Sequence, residues 1–182
     1  SRGLGDVYKR QAAGSRDHIN AMDMVEGYGD GGNPVIDKSE FVLSLFEQLD
    51  KKGVSAKEKS IIDRCTAAVY EDYQRGGAVP TLCVLREKML EQPEREAKDL
   101  ALALELFTSG SLDAFAHESN VDVNNRMVVY DIMDLGKQLK TMGLLVITDA
   151  MLNRVTENWK KGKRTHIFLD EFHVCLLYTS DA

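Results

Sequence analysis

The chain has 182 residues, 43% of them hydrophobic, and a formal charge of −6 from 23 basic and 29 acidic side chains. That length suits one domain with a core of ordinary size, and the acidic balance excludes a global basic field that would draw nucleic acid or anionic lipid. The longest apolar runs, such as Leu144–Ile147, fall far short of the ~20 residues of a membrane helix, and the three cysteines, Cys65, Cys83 and Cys175, are spaced too widely for a disulfide framework.

Both ends read as foreign to the rest. Residues 1–11 (SRGLGDVYKRQ) and 175–182 (CLLYTSDA) resemble translated sequencing-adapter runs of assembled environmental (metagenomic) fragments, and both are expected to be non-native extensions. The other reading is a disordered tail at the start and a genuine final strand or helix. No apolar h-region opens the sequence, and a reduced, cytoplasmic protein is the expectation.

After a mixed segment from His18 to Glu26 comes Gly27-Tyr-Gly-Asp-Gly-Gly-Asn-Pro34, whose glycines and Asn-Pro mark an irregular loop. Its first six residues satisfy G-x-G-x-x-G. A dinucleotide site needs a buried strand just before that string and a helix starting on it, and here neither is evident. A helical block follows. Asp37-Lys-Ser-Glu40 has capping-box spacing, ahead of Phe41, Val42, Leu45, Phe46 and Leu49 on one face. Ser55-Ala-Lys-Glu58 is a second capping box, followed by Ile61, Ile62, Cys65, Val69 and Tyr73 until Gly76-Gly77. Pro80-Thr81 opens a third helix through Leu90, closed by Pro93. A fourth carries Ala97, Leu100, Ala101, Leu104 and Phe107 before Gly110. Tyr70, Tyr73 and Arg75 have a stacking residue's composition, yet Glu71 and Asp72 between them favour a solvated helix edge over nucleic-acid contact.

Beyond a polar loop (His117 to Asn125) the pattern changes. Residues 126–131 (RMVVYD) form an apolar run with the length and β-branching of a buried strand. A long helix is expected over about Lys140 to Lys161, with Leu144, Ile147, Met151, Leu152, Val155 and Trp159 on its stripe, and Gly162 ends it. Thr165 to Leu169 is the next buried-type run. Strand, helix, strand is a parallel βαβ crossover. The expected fold class is therefore α/β, a βαβ unit at about 126–171 with a helical insertion at about 38–108.

Ligands of parallel sheets sit at the carboxyl ends of the strands. The second run leads into Asp170-Glu171, where the first acid can hold Mg²⁺ and the second can polarise a water for attack on a γ-phosphate. The plainer reading makes Asp170 a helix cap and Glu171 a solvated side chain. Asp131, at the end of the first run, reads as a turn initiator. His173 has a position from which to sense a phosphate, but packing or capping is the simpler role. With Cys175 it makes two potential zinc ligands where a structural site takes four. No G-x-x-x-x-G-K-[ST] occurs anywhere in the sequence, so a phosphate-binding loop is absent from it.

Three strings then become specific together: residues 124–132 (NNRMVVYDI), 149–158 (DAMLNRVTEN) and 163–173 (KRTHIFLDEFH). With Gly110–Phe115 and His18–Asn20 in the same order, they resemble the ATPases of conjugative type IV secretion systems over about Asp17 to Val174. The resemblance implies an incomplete RecA-like P-loop NTPase core at 12–174, with Asp170 as the Mg²⁺ ligand and Glu171 as the catalytic residue of its Walker B type strand. It implies ATP and Mg²⁺ as cofactors of the complete protein, a homo-hexamer, secretion-channel components as partners, and a place at the inner face of the cell membrane. The phosphate-binding loop is expected upstream and the arginine- and glutamine-bearing motifs downstream, so the fragment is expected to be inactive alone. A non-catalytic helical interaction module and a dinucleotide-binding protein using Gly27–Gly32 are the competing readings.

Overall fold

The structure, a computed structural model, describes residues 7–10, 18–25, 27–29, 32–49, 52–121, 127–132 and 135–169. Those residues are mostly helical. Strand β1 (Val7–Arg10) is followed by helices α1 (Pro34–Leu49), α2 (Ala56–Gln74), α3 (Leu82–Leu90) and α4 (Arg95–Thr108), then strand β2 (Val128–Asp131) and the long helix α5 (Gly136–Lys160).

Three of the four central helices begin where a side chain satisfies a free N–H group, and α4 begins after Glu94 without a side-chain cap. Ser55 caps α2 by accepting from Glu58 N while the Glu58 carboxylate accepts from Ser55 N, which completes the capping box read from the sequence. Thr81 caps α3 by accepting from Val84 N. The first helix starts earlier than expected. Asn33 Oδ1 accepts from Val35 N and Pro34 takes the first helical position, where its missing N–H costs nothing. Asp37 therefore lies inside the first turn and is not the cap.

One apolar core runs through the described residues. On α4, Ala97, Leu100, Ala101, Leu104 and Phe107 are buried at helical spacing, against Leu82, Leu85 and Met89 of α3 and Ile61, Ile62, Cys65 and Val69 of α2. Each such large side chain contributes roughly 1.5–3 kcal/mol by burial. Lys88–Asp72 and Arg86–Glu105, both at 2.8 Å, decorate the seams between these helices; partly exposed pairs add at most about 1 kcal/mol each. The core continues into the first half of α5 through Leu139, Met142, Val146 and Ile147.

The expected α/β core, a parallel βαβ unit at about 126–171, is not what forms. The described residues contain a single two-stranded pair, in which β2 lies parallel to β1 with Val7 opposite Val128 and Arg10 opposite Asp131. Its strands are separated in sequence by the four helices α1–α4 and are not joined by α5. Residues 163–169 form no strand, and all of 161–169 is exposed, with Phe168 at 92%. Physically, α5 ends in a Schellman turn. Gly162, at φ +68°, donates to Trp159 O at 2.9 Å, and Lys163 N donates to Asn158 O at 2.8 Å. The chain then leaves the body, and among the described residues no strand pairs with it; an apolar run without a partner strand has nothing to hold it in a ladder. The incomplete RecA-like core is corrected with it: no parallel sheet with crossover helices is present among the described residues.

Candidate functional site

Where α1, α5 and the glycine loop converge, the structure buries a charge. Lys38 has no exposed surface, and its ammonium lies 2.8 Å from Asp149 Oδ2 on α5. The ring faces of Tyr28 and Phe41 flank it at 4.3 and 4.6 Å, and Ala21 O accepts from Nζ at 3.4 Å. A buried lysine is tolerated when its donors are met in this way. Burial pushes the Lys38 amine below its usual range, and the Asp149 carboxylate works in the opposite direction.

The same carboxylate takes a second donor. Tyr28 Oη donates to Asp149 Oδ1 at 2.8 Å, so each oxygen of Asp149 has a partner. Tyr28 is buried although glycines flank it on both sides. Gly27 (φ +79°) and Gly29 (φ +76°) give the loop the left-handed geometry that turns the ring inward. At Gly29 a Cβ would stand 1.8 Å from Asp37 Oδ2. Gly29→Ala is expected to destabilise the chain by about 2 kcal/mol, from the φ penalty and the displaced carboxylate; a denaturant midpoint unchanged from the parent would contradict this. The G-x-G-x-x-G string thus serves to place an aromatic ring. The described residues before it (18–25) form no strand, and α1 begins only after Asn33.

A second polar cluster anchors the segment carrying His18–Asn20. Asn20 is buried, its amide donating to Pro80 O (2.7 Å) and Asp23 Oδ1 (2.9 Å), while its Oδ1 accepts from Met22 N (2.9 Å). Backbone bonds Ala21 N→Phe115 O and Asn120 N→His18 O tie this segment to the loop after α4. Tyr70 reaches in from α2 and donates to Met22 O at 2.5 Å. Tyr70 is thus a buried residue and not part of a solvated edge, whereas Tyr73 is 48% exposed. Its spacing from Ile62 and Thr66, eight and four positions earlier, was the signal that marked it as inward-facing.

Burial, with the nearby carboxylate of Asp149 at Tyr28 and of Asp23 at Tyr70, raises both phenols well above their usual range. A group with a raised folded pKa contributes stability that is complete below the unfolded value, about 10 for tyrosine, and is lost as pH climbs past it. Lys38 has the opposite sign: its depressed value makes its own contribution improve with pH up to about 10.5. Stability measured by denaturant titration is therefore expected to fall above about pH 10, and less steeply in Tyr70→Phe. An identical alkaline profile for that variant would contradict the assignment.

Asp170, Glu171 and His173 lie outside the described residues, as does Cys175. Asp131 ends β2 and is partly buried. The approach to Asp170 is the unpaired, exposed run 163–169, so the described residues do not build the supported strand end that would fit ATP and Mg²⁺, and no catalytic step follows from this geometry. Among the described residues no group of three or more His, Cys, Asp or Glu side chains is placed to hold a metal ion, and no helix is long and apolar enough to cross a membrane. The residues that sequence reasoning missed are Tyr28, Lys38 and Asp149.

No family model matches the chain, and no curated protein does. Among solved structures it is similar to the VirB4 of Thermoanaerobacter pseudethanolicus, with a TM-score of 0.66 and 18% identity over 85% of this chain. The match spans 64% of that structure's length. At this identity the likeness is one of fold.

Proposed function

We propose that this chain is part of an ATP-hydrolysing motor that energises conjugative DNA or protein transfer through a type IV secretion system. The observation that carries the reading is the fold likeness to VirB4 over most of the chain. The resemblance of residues 110–115, 124–132, 149–158 and 163–173 to the conjugative ATPases supports it independently. In this reading Asp170 organises Mg²⁺ and Glu171 activates water in the complete protein, which works as a hexamer with channel components at the inner face of the membrane. The phosphates are held by a loop outside these 182 residues. The decisive sequence observation is the contiguous parent reading frame: G-x-x-x-x-G-K-[ST] within roughly one βα unit upstream supports the motor, and an upstream frame without it removes the reading.

The 182-residue chain is expected not to turn over ATP, because phosphoryl transfer rests on preorganised contacts that this sequence does not supply. Magnesium-dependent hydrolysis by the purified chain, abolished by Glu171→Gln, would contradict that. The second reading, a non-catalytic helical interaction module, is favoured by two observations: the run leading to Asp170 is in no strand, and Leu102 and Leu106 of α4 stand exposed.

A further inference from the structure

Helix α5 changes character at its middle. Up to Ile147 it presents buried side chains to the core, and from residue 148 to 160 none is buried; Leu152 and Trp159 are 56% and 76% exposed. Hydrophobic packing therefore fixes the first half, whereas in the second only Met151 packs against the core among the hydrophobic side chains, and that only in part. Polar ties from this half reach the glycine loop at both of its ends. Asp149 holds Tyr28 and Lys38, each at 2.8 Å. Three turns further on, about 16 Å along the axis, Lys160 Nζ donates to Gly27 O at 2.9 Å.

The first tie is directional. Lys38 meets one carboxylate oxygen, one carbonyl and two ring faces, and Tyr28 meets the other carboxylate oxygen, so only one placement of α5 against α1 satisfies all of them. A buried ion pair adds little stability over apolar side chains of the same size, but it tolerates little displacement. We infer that Tyr28, Lys38 and Asp149, with Lys160 at the far end, form a polar latch that sets the angle at which the distal half of α5 leaves the helical block. The exposed run 163–169 is carried on that half, so the latch also sets where the run is presented. The latch does not depend on the motor reading.

Amide hydrogen exchange of the Lys38→Met/Asp149→Leu double variant tests it, with the 182-residue chain as reference. The apolar pair keeps the volume, so the melting midpoint is expected within about 5 °C of the parent. Exchange over residues 151–160 is expected to rise about tenfold, while 61–70 and 97–104 stay protected. Unchanged exchange over 151–160 at preserved stability overturns the latch. If the double variant does not fold, Tyr28→Phe decides, since it removes only the phenol's bonds to Asp149 and Asn153 on α5. Exchange about threefold faster over 151–160 supports the latch, and parental exchange there overturns it.

Discussion

Lys38→Met is expected to destabilise the chain by about 3 kcal/mol, the largest effect of any single charged side chain in the described structure. Removing one partner of a buried pair leaves the other charge uncompensated, at a cost of roughly 3–5 kcal/mol. The lower end applies because Asp149 keeps 19% of its side chain in contact with solvent and can recover part of its hydration. The methionine fills the space, so the loss measures the charge and not a cavity. For a domain of this size it corresponds to a fall of roughly 6–12 °C in the melting midpoint. Lys59→Met is the internal control. Its pair with Glu47 is also 2.8 Å long, but the two side chains are 48% and 43% exposed, so its removal is expected to cost at most about 1 kcal/mol. Denaturant titration of both variants decides; equal costs would show that burial of Lys38 carries no penalty.

The helices were legible because their signals are local. The Ser55–Glu58 box and Thr81 act on N–H groups three residues away, and the apolar spacing of α4 repeats within one helix, so a single pass along the chain finds them. The strand at Val128–Asp131 was legible as an apolar β-branched run, but its partner was not. Pairing is a non-local choice, and Thr165–Leu169 has the same composition as a paired strand without having a partner strand among the described residues. The start of α1 was misread because two caps compete within four residues. Asn33-Pro34 combines a capping amide with a fixed φ, and it wins over Asp37.

The buried site was illegible for a different reason. Lys38 and Asp149 are 111 positions apart, and each is a charged residue on a helix, for which the ordinary expectation is a solvated side chain. Tyr28 was hidden inside a string that reads as a flexible loop. Only the positive φ at Gly27 and Gly29, a consequence of the fold, turns its ring toward Asp149.

The second large effect belongs to the full-length protein and separates two neighbouring carboxylates by role. In Glu171→Gln the side chain keeps its shape and no phosphate contact is lost, so nucleotide binding is expected to persist. Hydrolysis is expected to fall by a factor on the order of 10² or more, the scale of losing a positioned general base. Asp170→Asn removes a charge from the magnesium complex instead. Its defect is expected to lie in metal affinity and to be recovered in part at high Mg²⁺. Steady-state ATP hydrolysis by the full-length protein and both variants, run beside nucleotide-binding titrations, is the most direct test of the motor assignment. Retained binding with hydrolysis lost in Glu171→Gln is the predicted result, and parental rates in both variants would contradict the account and leave the helical interaction module in its place.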